Sequence, residues 1–235
     1  AEALGHEYGS PAFLAFEAEV LDTLRDESYL ASAHIAKVKG SFPKFDKDKY
    51  LQGQFIKTLR EDVRDAIAKY GIRNSHLTSI APTGTISLCA DNVSSGIEPV
   101  FAYSFDRTVI EFSGPRVETV EDYGARVFGV RGKACSRVTV QEHVAALTVA
   151  AQRVDSAVSK TCNVPSDISW EDFKNVYVSA WEGGAKGCTT FRLGGKRLGI
   201  LVVKDDGSEP EADAPAEEPA SQCRIDPATG RHVCE

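Results

Sequence analysis

Two stretches of this sequence carry residue types that could do chemistry. The first is "APTGTIS", residues 81–87, where small hydroxyls and a glycine follow the apolar run "HLTSI". If that run is a strand and "SLCADN" opens a helix, then Thr83, Gly84, Thr85 and Ile86 lie at a helix N-terminus. There the first backbone N–H groups lack intrahelical partners and the helix dipole favours negative charge. Gly84 would let a ligand approach the backbone closely, and the Thr83 and Thr85 hydroxyls could donate to phosphate oxygens. The bland alternative is a threonine-capped helix and nothing more. Neither a G-x-x-x-x-G-K-[ST] nor a G-x-G-x-x-G pattern is present, so an ordinary nucleoside triphosphatase or dinucleotide site is not supported.

The second stretch is the C-terminal "CRIDPATGRHVCE", with Cys223 and Cys234 on either side of an "IDPATG" turn. Arg224, Arg231 and His232 would favour the thiolate form of nearby cysteines. A tethered thiol pair suits thiol–disulfide exchange, which needs an accessible thiolate and reach. The alternatives are a tail with two incidental cysteines and a metal site made from Cys223, His232 and Cys234. The other four cysteines, Cys89, Cys135, Cys162 and Cys188, are scattered and form no C-x-x-C pair. They read as small buried hydrophobes, in neither a zinc ribbon nor a disulfide-stapled secreted domain.

The elements that must position these groups follow from hydrophobic periodicity and caps. Residues 10–39 carry apolar positions at helical spacing, Phe13, Phe16, Val20, Leu21, Leu24, Ala31, Ile35 and Val38, behind a Ser10 cap and Pro11. Asp46 caps a second helix through Tyr50, Leu51, Phe55 and Leu59, with continuation through Val63, Ile67 and Tyr70 to Gly71. "SHLTSIAP" and "VFAYSFDRTV" (100–109) read as strands, and Gln141–Val158 as a helix. Ser169 and Asp172 form a capping box for another helix ending at Gly183-Gly184, after which "KGCTTF" and "LGILVV" read as strands. Mixed helices and single strands indicate an α/β arrangement.

With 235 residues, 42% of them hydrophobic, the chain can build a real core, and its net charge of −7 provides no footprint for nucleic acid. An anion must therefore be held by a local site. No apolar run is long enough for a membrane span and no secretory signal opens the chain, which makes the cytoplasm the expected compartment. The absence of methionine leaves two possibilities, an initiator removed ahead of Ala1 or a piece of a longer chain. Past Val203, "KDDGSEPEADAPAEEPASQ" is acidic and rich in Pro and Ala, the composition of a flexible linker spanning about 25 Å. The expected organisation is therefore a folded part at 1–204, a linker at 205–222 and a cysteine tail at 223–235.

The wording of "APTGTISLCADNVSSGIEPVFA" resembles the corresponding segment of ribonucleotide reductase catalytic chains, above all the adenosylcobalamin-dependent (class II) type. "CNVPSDISWEDFKNVYVSAWEGGAKGCTTFRLGGKRLGIL" is similar to that family's late helix and final strand, in family order, so the resemblance covers most of residues 10–203. It implies the C-terminal part of a ten-stranded α/β barrel, with Thr83, Gly84, Thr85 and Ile86 on the diphosphate of a ribonucleoside diphosphate. Glu98 and Pro99 match the family's G-I-E-P turn and are given no chemistry. Thr189 and Thr190 stand where the oxygen-dependent class has a tyrosine pair, as expected of a chain served by adenosylcobalamin.

The family's radical cysteine, in an N-P-C-G-E type motif upstream of the phosphate segment, has no counterpart before His76. The resemblance therefore implies a larger partner chain, or a longer parent chain, that carries the radical cysteine and the allosteric site. This chain alone would be inactive. It also gives Cys223 and Cys234 the role of re-reducing the active site, themselves reduced by thioredoxin or glutaredoxin. A competing expectation is a non-catalytic nucleotide-binding or regulatory partner of a full-length reductase. Half a barrel would leave strand edges and apolar faces exposed, which favours an obligate partner.

Overall fold

A computed structural model of the chain describes residues 1–93, 95–112, 114–192, 201–203, 224–225 and 232–233. The chain divides into two units, Ala1–Lys204 and Asp205–Glu235. The linker expected at 205–222 and both Cys223 and Cys234 lie outside the described residues.

The first unit opens with α1 (Pro11–Lys39), where Ser10 Oγ accepts from Phe13 N–H and Gly40 ends the helix, as the sequence indicates. The inward face is not the expected one. Val20, Leu24, Ile35 and Val38 are exposed, whereas Glu17, Leu21, Arg25, Asp26, Tyr29, Ser32, Ala33 and Ala36 are buried. The buried residues repeat every three or four positions, so they form one stripe, and α1 turns that stripe toward α3 and α6. Within the helix Arg25 is matched by two carboxylates, its Nε 2.9 Å from Asp26 and its Nη1 2.8 Å from Asp22. The rejected residues form an apolar stripe of their own on the solvent side.

Asp46 caps α2 (Lys47–Leu51) by accepting from Lys49 N–H, but the helix stops there instead of running to Tyr70. Gly53 breaks it, and a 3-10 turn at Ile56–Thr58 leads to α3 (Glu61–Tyr70), which ends on Gly71. The break lets Ile56, Leu59, Val63, Ile67 and Ile72 converge on Tyr29 and Ala33 in one core cluster. Burying each such aliphatic side chain contributes about 1.5–3 kcal/mol.

Residues 76–82 form no strand. Ile80 makes a single parallel bridge with Val158, and Leu77 and Thr78 give their N–H groups to the Asp155 carboxylate. The short helix α4 (Gly84–Cys89) follows. β1 (Ser104–Glu111) pairs antiparallel with β2 (Gly114–Glu121), a strand the sequence reading missed, in a register running from Ser104↔Glu121 to Glu111↔Gly114. A short helix α5 (Tyr123–Phe128) is capped by Asp122.

α6 (Val140–Ala151) carries a full Thr139/Glu142 capping box and ends earlier than periodicity suggests, because Asp155 and Val158 bond across to residues 77–80. β3 (Thr161–Val164), α7 (Trp170–Glu182) and β4 (Thr189–Arg192) form a strand–helix–strand crossover with parallel pairing, Thr161 opposite Thr189. Ser169 caps α7 as predicted, accepting from Asp172 N–H at 3.1 Å. Val144, Leu147, Cys162, Val164, Val176 and Ala180 fill a second core cluster between α6, β3 and α7. β5 (Leu201–Val203) adds antiparallel to the free edge of β1.

The observed architecture is therefore mixed α/β, and no closed barrel is seen among the described residues. No described helix is long and apolar enough to cross a membrane. In the second unit, β6 (Arg224–Ile225) pairs antiparallel with β7 (His232–Val233), Arg224 opposite Val233.

Candidate functional site

The loop at Pro82–Ser87 starts from an unusual backbone. Thr83 caps α4 with φ 44° and ψ 16°, in the left-handed region. A β-branched residue is a genuine outlier there, because its Cβ crowds the following carbonyl. The conformation does not come from a side-chain cap, for Thr83 makes none, and its buried Oγ1 has no hydrogen-bond partner. By helix geometry the N–H groups of Gly84, Thr85 and Ile86 have no intrahelical acceptor. All three residues are exposed, Ile86 to 69%. Ser87 is the buried member of the motif: its hydroxyl donates to Gly84 O at 2.6 Å and lies 3.2 Å from Ser95 Oγ.

A second loop, residues 95–100, supports the first. Gly96 has φ +64°, and a Cβ there would stand 2.9 Å from Ala81 O, so only glycine lets the two loops approach this closely. Tyr8 donates its hydroxyl to Ile97 O at 2.8 Å. Glu98 then ties the loop to β3, its Oε2 accepting from Lys160 Nζ at 2.9 Å and its Oε1 from Thr161 N–H at 2.6 Å.

Lys160 is the hub beneath this arrangement. Its fully buried ammonium also lies 3.0 Å from His143 Nδ1 and 3.2 Å from Thr161 O, with the Tyr8 ring 5.5 Å away. An ammonium only donates, so Nδ1 must accept, and the His143 proton sits on Nε2, which has no partner. Burial, with the Lys160 charge added, pulls the His143 pKa down to about 3 and keeps the ring neutral. Nearby on α1, Glu17 is buried with both carboxylate oxygens unpartnered. Burial pushes its pKa up to about 7 against the attraction of Lys160 and Arg153. Burial likewise raises Cys135 to about 11, and Asn163 Nδ2 donates to its sulfur.

Asp155 forms the other anchor. It accepts from Tyr29 Oη at 2.7 Å, Leu77 N at 2.6 Å, Thr78 N at 3.1 Å and Ser156 Oγ at 3.1 Å. Burial raises its pKa, but these hydrogen bonds outweigh burial and hold it below the usual carboxylate range.

The four loop residues expected on phosphate, Thr83, Gly84, Thr85 and Ile86, thus stand together at one turn. The other expected pair, Cys223 and Cys234, lies outside the described residues. Of the cysteines expected in the core, Cys135 and Cys162 are buried and Cys188 half-buried, but Cys89 is exposed. It sits in the last turn of a helix too short to hide both faces. Lys160, His143, Glu17 and Asp155 were not singled out from sequence. No local motif marks them, and the partners that define them, Glu98 for Lys160 and Tyr29 and Leu77 for Asp155, lie far along the chain.

The chain matches the family described as "Ribonucleotide reductase, barrel domain" over residues 2–126 and 133–191. It is 28% identical over 226 residues to a vitamin B12-dependent ribonucleoside-diphosphate reductase of Mycobacterium tuberculosis, covering 85% of this chain and 30% of that one. A protein with the same description from Thermoplasma acidophilum is 29% identical over 223 residues, 83% of this chain and 27% of its own. A ribonucleoside-diphosphate reductase subunit alpha of Treponema pallidum is 24% identical over 189 residues, 77% and 22%. The chain spans less than a third of the length of these curated relatives.

Proposed function

Because the chain belongs to the ribonucleotide reductase barrel-domain family, we propose that it is a component of a class II ribonucleoside-diphosphate reductase. In this reading it helps convert ribonucleotides to 2'-deoxyribonucleotides. Thr83, Gly84, Thr85 and Ile86 hold the substrate diphosphate with backbone N–H groups and hydroxyls, without a lysine. The observation that carries this is Thr83 itself. A β-branched residue in the left-handed region, with a buried and unpartnered hydroxyl, is strain of the kind that collects at ligand-binding turns.

The radical cysteine is supplied by a larger partner chain or segment, which also carries allosteric control. The exposed apolar stripe of α1, Val20, Leu24, Ile35 and Val38, supports a covered face in the assembled enzyme. Cys223 and Cys234 act as a thiol shuttle reduced by thioredoxin or glutaredoxin. Adenosylcobalamin, which the relatives' names imply, would supply the radical in the complete enzyme. Among the described residues no three His, Cys, Asp or Glu side chains stand together as a metal-binding set.

The test is reconstitution. With adenosylcobalamin, a ribonucleoside diphosphate and a dithiol, the chain alone should form no deoxyribonucleotide, and adding the chain that bears the radical cysteine should restore turnover. Cys223→Ser or Cys234→Ser should block turnover with thioredoxin yet spare it with a small dithiol. Equal loss with both reductants would remove the shuttle role. Nucleotide binding with no rescue by any partner would make the chain a regulatory module instead.

A further inference from the structure

Two cysteines separated by 26 positions meet at the base of the β3–α7–β4 crossover. Cys162, the second residue of β3, is fully buried, and Cys188, the residue before β4, is half-buried; their sulfurs lie 3.6 Å apart. The parallel register sets Cys162 opposite Thr190, two residues beyond Cys188, so the two side chains share one face of the strand pair. That face packs against Val176 and Ala180 of α7. A disulfide needs sulfurs at about 2.05 Å, so closure asks for an approach of about 1.6 Å shared between two side chains.

The two thiols are not equivalent. The hydrogen bond they share lowers the pKa of Cys188, against the effect of burial, and raises that of Cys162, with burial adding to it. Cys188 is therefore both the more ionised and the more accessible sulfur, the combination that makes a thiol react first. Cys162, shielded from solvent, is placed to resolve what Cys188 forms.

We propose that Cys162 and Cys188 are a reversible dithiol–disulfide couple, a modification site that a peroxide oxidises. The Cys188 thiolate attacks one oxygen of hydrogen peroxide, forming an S–O bond and breaking the O–O bond. The hydroxide released takes a proton and leaves as water. Cys162 then gives up its proton, and its sulfur displaces the second hydroxide from the Cys188 sulfenic acid, which leaves as water while the S–S bond forms. Two thiols and one peroxide become one disulfide and two waters, the sulfurs losing the two electrons that reduce the peroxide. The product ties together the two strands that flank α7. It uses neither the phosphate loop nor the tail thiols, so it stands apart from the function proposed above.

The experiment treats the full chain with hydrogen peroxide, alkylates the remaining thiols, digests without reductant and reads the peptides by mass spectrometry. The expected product is a Cys162–Cys188 cross-linked peptide, reversed by dithiothreitol and accompanied by a rise in the thermal midpoint. The chain bearing Cys223→Ser and Cys234→Ser should give the same cross-link with the loss of two thiols, and Cys188→Ser should give none. Recovery of Cys188 as a sulfinic acid with Cys162 still alkylatable would overturn the proposal. So would a dominant disulfide involving the exposed Cys89. Both outcomes are read in the unsubstituted chain, where no folding defect intervenes.

Discussion

Glu98 and Lys160, 62 positions apart, form a 2.9 Å ion pair whose lysine side chain is wholly buried and whose glutamate side chain is 16% exposed. Through it the 95–100 loop, which supports the Thr83 turn, is fastened to the start of β3. Removing one partner of a buried pair leaves an uncompensated charge, whereas removing both does not. Glu98→Ala should cost about 3 kcal/mol, and Glu98→Ala with Lys160→Met should recover much of that loss. Urea unfolding of the two single variants and the double variant measures the coupling. Additive losses would mean that the pair is not the fastening.

Glu17 should set a pH dependence. It holds its proton more tightly in the folded chain, at about 7 against an ordinary value of 4.5. Its contribution is therefore fully present below 4.5 and lost as pH rises through about 7. His143 works in the opposite sense, since its pKa falls to about 3 from 6.5 and its contribution is lost as pH falls below 6.5. Glu17→Gln should therefore leave stability near wild type at pH 4 and raise it by about 3 kcal/mol at pH 8. Thermal midpoints at the two pH values check this, and an equal shift at both would count against a raised Glu17 pKa.

Asp155 joins α1 to the segment that leads into the phosphate loop, through Tyr29 Oη and the N–H groups of Leu77 and Thr78. Asp155→Ala leaves those buried donors unmatched and should cost about 3 kcal/mol, while Tyr29→Phe should cost about 1 kcal/mol. Amide hydrogen exchange at Leu77 and Thr78 should speed up strongly in the first variant and little in the second.

Thr83 should show a trade between stability and binding. Thr83→Gly relieves the left-handed strain at φ 44° and should stabilise the chain by about 1 kcal/mol. Under the proposed function it should also weaken binding of a ribonucleoside diphosphate, by removing a hydroxyl and loosening the turn. Thr83→Val, which keeps the strain and removes only the hydroxyl, separates the two effects when titrated by calorimetry. Unchanged affinity in both variants would take Thr83 out of the phosphate site.

The sequence by itself determined what is settled within a turn or two of chain. Ser10, Asp46 and Ser169 cap their helices because a side-chain oxygen reaches an N–H three residues on, and both partners stand in one short word of sequence. The Thr83–Ile86 turn and the resemblance to the reductase family were legible for the same reason: they are contiguous words. Tertiary structure decided whatever needs a partner from elsewhere. Apolar periodicity placed Val20, Leu24, Ile35 and Val38 on a common stripe of α1 but could not say which stripe faces inward. That choice belonged to α3 and α6, which pack on α1, Val63 and Ile67 of α3 sharing a core with Tyr29 and Ala33, and leave Val20, Leu24, Ile35 and Val38 outside. Likewise nothing near Glu98 announces Lys160, and nothing near Cys162 announces Cys188. Their meeting depends on loops and a crossover closing in three dimensions, and only the folded backbone supplies that distance.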